Sequence, residues 1–239
     1  MGTDARSGIP TGMTATITIT PTITRLPMSD ADLLRLTHWL SPVFPVGGYA
    51  YSGGLETAIA DGFVSSEDTL SDWLDASLFC GSARVDAVLL TSAMAEDADI
   101  PALSDWARAL ANSAERWRET SEQGRAFQQA LVATGEGDGQ PLPLPVAVGR
   151  AAQSLTLPPE RVAALYLQAS IANLATGAVR HVPLGQAAGS RVIARLGPRI
   201  LSVASEATST APEDVLTTSF GADLAQMRHE TQETRIFRT

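Results

Sequence analysis

The chain has 239 residues, room for one large domain or two small ones with a sizeable core. Its formal net charge of −9 argues against a general nucleic-acid binder. All 17 basic residues are arginine, which excludes a P-loop lysine, a Schiff-base lysine and a kinase-type lysine together.

Cys80 is the single cysteine, so neither an intrachain disulfide nor a thiolate metal cluster is expected, and a reducing, cytoplasmic setting is the natural reading. Apolar residues make up 44% of the chain but aromatic ones only 5%. Alanine and leucine, both strong helix formers, therefore dominate.

Residues 1–28 alternate Thr with Ile and lack the basic start and continuous apolar block of a secretory signal. Arg6 occupies the position where a myristoylation signal needs Ser or Thr. The segment reads as a flexible leader. No run of 18 apolar residues occurs, so no membrane helix is expected.

Helical periodicity begins at 29–40. Ser29 or Asp30 is its cap, and Leu33, Leu34, Leu36, Trp39 and Leu40 form its apolar face. Pro42 and Pro45 stop it. The segment SPVFPVGGYAYSGGLETA (41–58) then poses a choice between a ligand-cradling loop and a helix joint. A dinucleotide fingerprint needs G-x-G-x-x-G between a strand and a helix. Here two glycine pairs are separated by four residues and follow a helix, so a tight connection is the better reading. Pro45, Gly47, Gly48, Gly53 and Gly54 shape it. Tyr49 and Tyr51 face another helix or a partner.

A short helix ends at Gly62. The next spans 65–81, capped by Ser65 or Ser66, with Leu70, Trp73, Leu74, Leu78 and Cys80 inward. Helical patterns follow at 83–97, at 101–113 behind Pro101, and at 114–134. A surface loop at 135–143 precedes apolar or helical runs at 144–157, 158–180, 181–207 and 211–239. About ten helices and no strand outside the leader predict an all-α single compact domain over 29–226. Between Arg161 and Ser205 five arginines (161, 180, 191, 195 and 199) occur with no acid. This basic stretch either grips an acidic partner or pairs with acids of the fold.

Reacting groups are scarce. None of His38, His181 and His229 has a second His at metal-ligand spacing. His38 reads as a core or boundary residue, and His181 suits an interface. His229 stands beside Met227, Arg228 and Glu230, a weak metal motif. Cys80 reads as buried and inert. Glu56 and Asp61 are five residues apart and poorly aligned for paired-carboxylate chemistry. No G-x-S-x-G elbow occurs. No catalytic site, resident metal or cofactor is predicted. Residues 227–239 carry Ile236 and Phe237 in a polar tail, the pattern of a segment ordered by a partner.

Four stretches together, 41–64, 118–131, 171–196 and 223–239, resemble the urease accessory protein UreF family. The loop reads PVGGYAYSGGLE where the family more often has PVGAFSYSxGLE, and Ser190 replaces a glutamine of GQxxGQR. The resemblance implies an all-helical homodimer that binds UreD/UreH and then the GTPase UreG, a scaffold and not an enzyme, in an assembly delivering nickel to apo-urease. It places Asn173, Arg180, Pro183, Leu184, Gly185 and Gln186 near dimer and GTPase-facing surfaces and assigns the C-terminal segment to UreD/UreH. The partner-binding residues expected on this basis are Tyr49, Tyr51, Arg180, Gln186, Arg191, Arg195, Met227, Arg228, His229, Glu230, Arg235 and Phe237. A generic helical adaptor unrelated to nickel and a helical enzyme are the alternatives.

Overall fold

The computed structural model describes residues 1–2 and 29–238. The expected leader therefore lies almost wholly outside the described residues. Ten α-helices follow in chain order: α1 (Asp30–Trp39), α2 (Leu55–Ala60), α3 (Glu67–Cys80), α4 (Ser82–Ala93), α5 (Ile100–Ala109), α6 (Ala114–Ala133), α7 (Leu144–Ala152), α8 (Pro159–His181), α9 (Gln186–Ala207) and α10 (Phe220–His229). Two 3-10 turns, Gly48–Ala50 and Pro212–Asp214, complete the set. No strand occurs among the described residues.

The boundaries follow from local chemistry. Ser29, Asp99 and Ser113 each accept a backbone N–H of the first turn of α1, α5 and α6. Ser66 and Thr69 form a reciprocal capping box at α3. α3 and α4 are split only at Gly81, where a Cβ would stand 2.9 Å from the Cα of Ser77.

α4 is the hub. Val85, Ala87, Val88, Leu89, Leu90 and Ala93 are all buried, around the whole circumference of the helix. It packs against α3, α5, α7, α8 and α9. α7 reaches it because Gly149 lies against the Leu90 carbonyl, where a Cβ would overlap that oxygen. Gly124 of α6 lies equally close to the backbone of residues 142–144. α8 is long and apolar enough to cross a membrane by length and composition. Here it packs along α9 and against α4, with Val162, Leu167, Ile171 and Ala175 fully buried.

Two polar assemblies sit within this frame. Between α4, α6 and α8, Arg116 donates to both Asp86 oxygens at 2.6 and 2.7 Å, and the Tyr166 hydroxyl donates to Asp86 at 2.8 Å. Glu119 lies 3.1 Å from Arg116. Burial raises the Glu119 carboxyl against the pull of Arg116. Burial also lifts the Tyr166 hydroxyl, reinforced by Asp86. Along the surface, Arg191, Arg195 and Arg199 of α9 meet Glu67, Asp68 and Asp75 of α3 at 2.7–3.2 Å. The basic stretch is thus largely balanced inside the fold.

Three expectations are corrected. Leu34 and His38 point outward, because the buried stripe of α1 is Asp32, Leu36 and Trp39. Asp32 tolerates burial by accepting the Thr156 N–H and hydroxyl at 2.9 and 2.7 Å. Cys80 is only half-buried, lining a groove instead of the core.

Candidate functional site

The site is the junction of the glycine loop, α2, α10 and the C-terminal segment. Phe44 turns the chain into the core against Phe127, which also meets Trp39. Gly47, Gly53 and Gly54 all have positive φ, of 70°, 59° and 82°. Gly54 has a second reason to be glycine: a Cβ there would stand 2.9 Å from the Gln226 backbone nitrogen. The loop thus lets α10 lie directly on the start of α2. Asn173 of α8 donates to the Gly48 carbonyl at 2.8 Å and ties the loop down. Pro45 is exposed at its entry.

The two tyrosines divide. Tyr51 is buried and donates to Glu122 at 2.7 Å; burial, then Glu122, pushes its hydroxyl up to about 12. Tyr49 is 71% exposed.

His229, at the end of α10, is 0% exposed. Its Nδ1 lies 2.8 Å from Glu115 of α6 and its Nε2 lies 3.1 Å from Glu56 of α2. The same carboxylates hold the last residues of the chain. Glu56 accepts the backbone N–H groups of Ile236 and Phe237 at 2.8 and 2.9 Å. Glu115 accepts from Arg235 at 2.7 Å. Glu230 accepts the Ala114 and Glu115 N–H groups at the α6 N-terminus, where a negative charge is favoured. The Phe237 ring meets His181 edge-on at 5.0 Å and lies over Gly177. The Arg238 N–H donates to the Ala50 carbonyl at 2.7 Å. Residues 230–238 form a strap across α2, α6 and α8.

The outer face of α10 is apolar. Phe220, Leu224 and Met227, at helical spacing, are 78%, 48% and 49% exposed. Phe63, behind α2, is exposed as well, and with Phe220, Trp73, Ala76 and Cys80 it lines an open groove of about 480 Å³. Arg228 is exposed and pairs with Asp61 at 3.3 Å.

The structure brings Tyr51, His229, Glu230, Arg235 and Phe237 together, and places Met227 and Arg228 on the outside of the same junction. Arg180 and Gln186 are exposed at the turn between α8 and α9, as are Pro183 and Gly185, while Leu184 is half-buried against the core. Arg191 and Arg195 lie further along α9 in the charge ladder with α3. The metal motif suggested by His229 and its chain neighbours does not form, and no cluster of metal ligands occurs among the described residues. Its ring is occupied by Glu56 and Glu115, which sequence reasoning missed as partners. Nothing local marks either acid, since they stand 173 and 114 residues from His229.

A helical body that offers apolar and basic contact surface, with its buried acids and histidine spent on holding its own chain, is built as an accessory protein. The UreF family model matches residues 64–197. Proteins named urease accessory protein UreF are similar along most of the chain. The Jannaschia sp. protein is 49% identical over 207 residues, 87% of this chain and 94% of its own. One from Cereibacter sphaeroides is 51% identical over 211 residues, 88% and 100%. The Paracoccus denitrificans protein is 45% identical over 210 residues, 88% and 97%. The chain belongs to the UreF family, whose members are accessory proteins and not enzymes.

Proposed function

We propose that this chain serves urease maturation in the cytoplasm as a homodimeric scaffold, bridging UreD/UreH and the GTPase UreG and regulating GTP-dependent nickel delivery to apo-urease. The observation that carries the reading is the two-sided α10. Its inner side is fixed by Gly54, Gln226 and His229, while Phe220, Leu224 and Met227 face outward on a rigid base. An apolar helix stripe on a fixed platform suits partner docking, and UreD/UreH is the proposed occupant. Residues 227–239 contribute to that surface, with Arg228 at its rim.

The test is nickel-dependent urease activation with and without the chain. Activation unaffected by its absence defeats the reading. Met227→Asp, on the exposed side of α10, is expected to weaken UreD/UreH binding about tenfold or more while circular dichroism stays unchanged. Full-strength binding by that variant removes α10 from the interface.

For UreG, Arg180, Gln186, Arg191 and Arg195 remain the proposed contacts, with Tyr49 exposed on the glycine loop. Their charges are not equivalent. Arg191 and Arg195 are held by Glu67 and Asp68, whereas Arg180 makes no ion pair among the described residues. An arginine acting on a GTPase must be free to reorient. Arg180→Ala is therefore expected to change UreG GTP turnover or complex formation more than Arg191→Ala does. The reverse order, measured in the reconstituted assembly, assigns the role to α9 instead.

A further inference from the structure

We propose that His229 is a buried, doubly protonated clamp, and that docking of the C-terminal strap onto the body depends on its proton. The argument is geometric. Each ring nitrogen faces a carboxylate, Nδ1 to Glu115 at 2.8 Å and Nε2 to Glu56 at 3.1 Å, and the ring is 0% exposed. A neutral imidazole has one N–H and one lone pair. In this cage its bare nitrogen would turn that lone pair onto a carboxylate oxygen with no water to intervene. The imidazolium donates on both sides and satisfies both acids.

The clamp reaches the strap through the same two acids. Glu115 spends its other oxygen on Arg235, and Glu56 accepts the N–H groups of Ile236 and Phe237. Two cations, His229 and Arg235, thus balance two anions. Loss of the ring proton leaves an excess negative charge in a buried site and one unfilled acceptor.

The neighbouring charges are otherwise engaged. On α2, Asp61 pairs with Arg228 at the surface. On α6, Arg116 is committed to Asp86 and Glu119, and in the turn before it Asn112 donates to Asp223 of α10. Glu230 caps α6, Glu122 holds Tyr51 with Arg238 at 3.9 Å, and His181 of α8 meets Phe237.

Glu56 sets the acid limit. Burial pushes its carboxyl up, but the Phe237 amide, His229 and the Ile236 amide outweigh that and hold it below its ordinary value. A depressed carboxyl contributes docking stability above its unfolded value and loses it as pH falls through the folded value. The strap is therefore released in acid below the usual carboxylate range, and again when the ring gives up its second proton. This rests on the chain's own contacts and not on the partners proposed above.

The test uses the full chain, labelled with 15N. Ring nitrogen shifts report the His229 protonation state, and hydrogen exchange, corrected for intrinsic rate, reports the Ile236 and Phe237 amides. Both ring nitrogens are expected to be protonated while those amides are protected. Protection is expected to fall about tenfold as the ring proton leaves, the size of one charge-assisted hydrogen bond, while amides of α4 stay protected. A singly protonated ring beside a fully protected strap, or protection flat through the ring's titration, overturns the proposal. Glu56→Gln gives a second reading at the Ile236 amide, because its side-chain NH₂ can donate to a neutral ring while its oxygen still accepts the Ile236 N–H. This variant is expected to keep its helix content and to show no fall in Ile236 protection as the ring proton leaves. A fall of undiminished size at Ile236 in Glu56→Gln also overturns it.

Discussion

Asp86→Ala is expected to cost about 3–5 kcal/mol of folding stability, the range for breaking a buried ion pair from one side. Asp86 receives two hydrogen bonds from Arg116 and one from Tyr166. Its removal strands a buried guanidinium that burial destabilises and that Asp86 and Glu119 keep charged. Glu119 alone cannot replace it, because burial already raises that carboxyl. The check is the denaturant midpoint, which should fall with little change in slope. Replacing both partners together, Asp86→Leu with Arg116→Met, should recover much of the loss, since an apolar pair of similar volume leaves no orphaned charge. A single variant as stable as the parent would show that the network is not sealed from water.

Gly149→Ala is the second large effect, although it adds one methyl group. The new Cβ would overlap the Leu90 carbonyl and stand 2.8 Å from the Ala93 Cβ. Both obstacles belong to α4, the helix against which five others pack, so neither yields cheaply. Overpacking of this kind costs about 1–3 kcal/mol or more. For a domain of this size that lowers the thermal midpoint by roughly 3–10 °C. Gly221→Ala is the matched control: it lies in the first turn of α10 with nothing within 4 Å of the added atom and no proline after it. There the better helix propensity of alanine should leave stability equal or slightly raised. Equal behaviour of the two variants would mean that α7 can back away from α4.

The helices were legible because their signals are local. Ser29 and Ser66 cap where a short polar residue precedes a helical pattern, and Pro159 opens α8. The glycine loop was legible as a tight connection because its spacing fits no cradle. That Gly54 admits the backbone of α10 depends on a residue 172 positions away. His38 and Leu34 were misplaced for one reason: periodicity alone did not expect an aspartate in the buried stripe, and Asp32 is buried only because Thr156 serves it. The basic stretch from Arg161 to Ser205 shows the same limit. Its charge was countable, but its pairing to the acids of α3 was a matter of helix packing. Within the tail, Phe237 stood out as an anchor. The buried cage around His229 did not, because its acids lie on helices far away in the chain.

The strap also has a consequence for the order of events during synthesis. Glu56 leaves the ribosome long before the ring it will face, since 173 residues separate it from His229. At about 5–20 residues per second that interval lasts roughly 10–35 s. The amides of Ile236 and Phe237 follow His229 in the chain and arrive later still. Until those residues are made, the acids of α2 and α6 lack the groups they accept from the strap. Closure of the strap therefore waits for Arg235, Ile236 and Phe237, and a copy truncated before Arg235 lacks the groups that Glu56 and Glu115 accept.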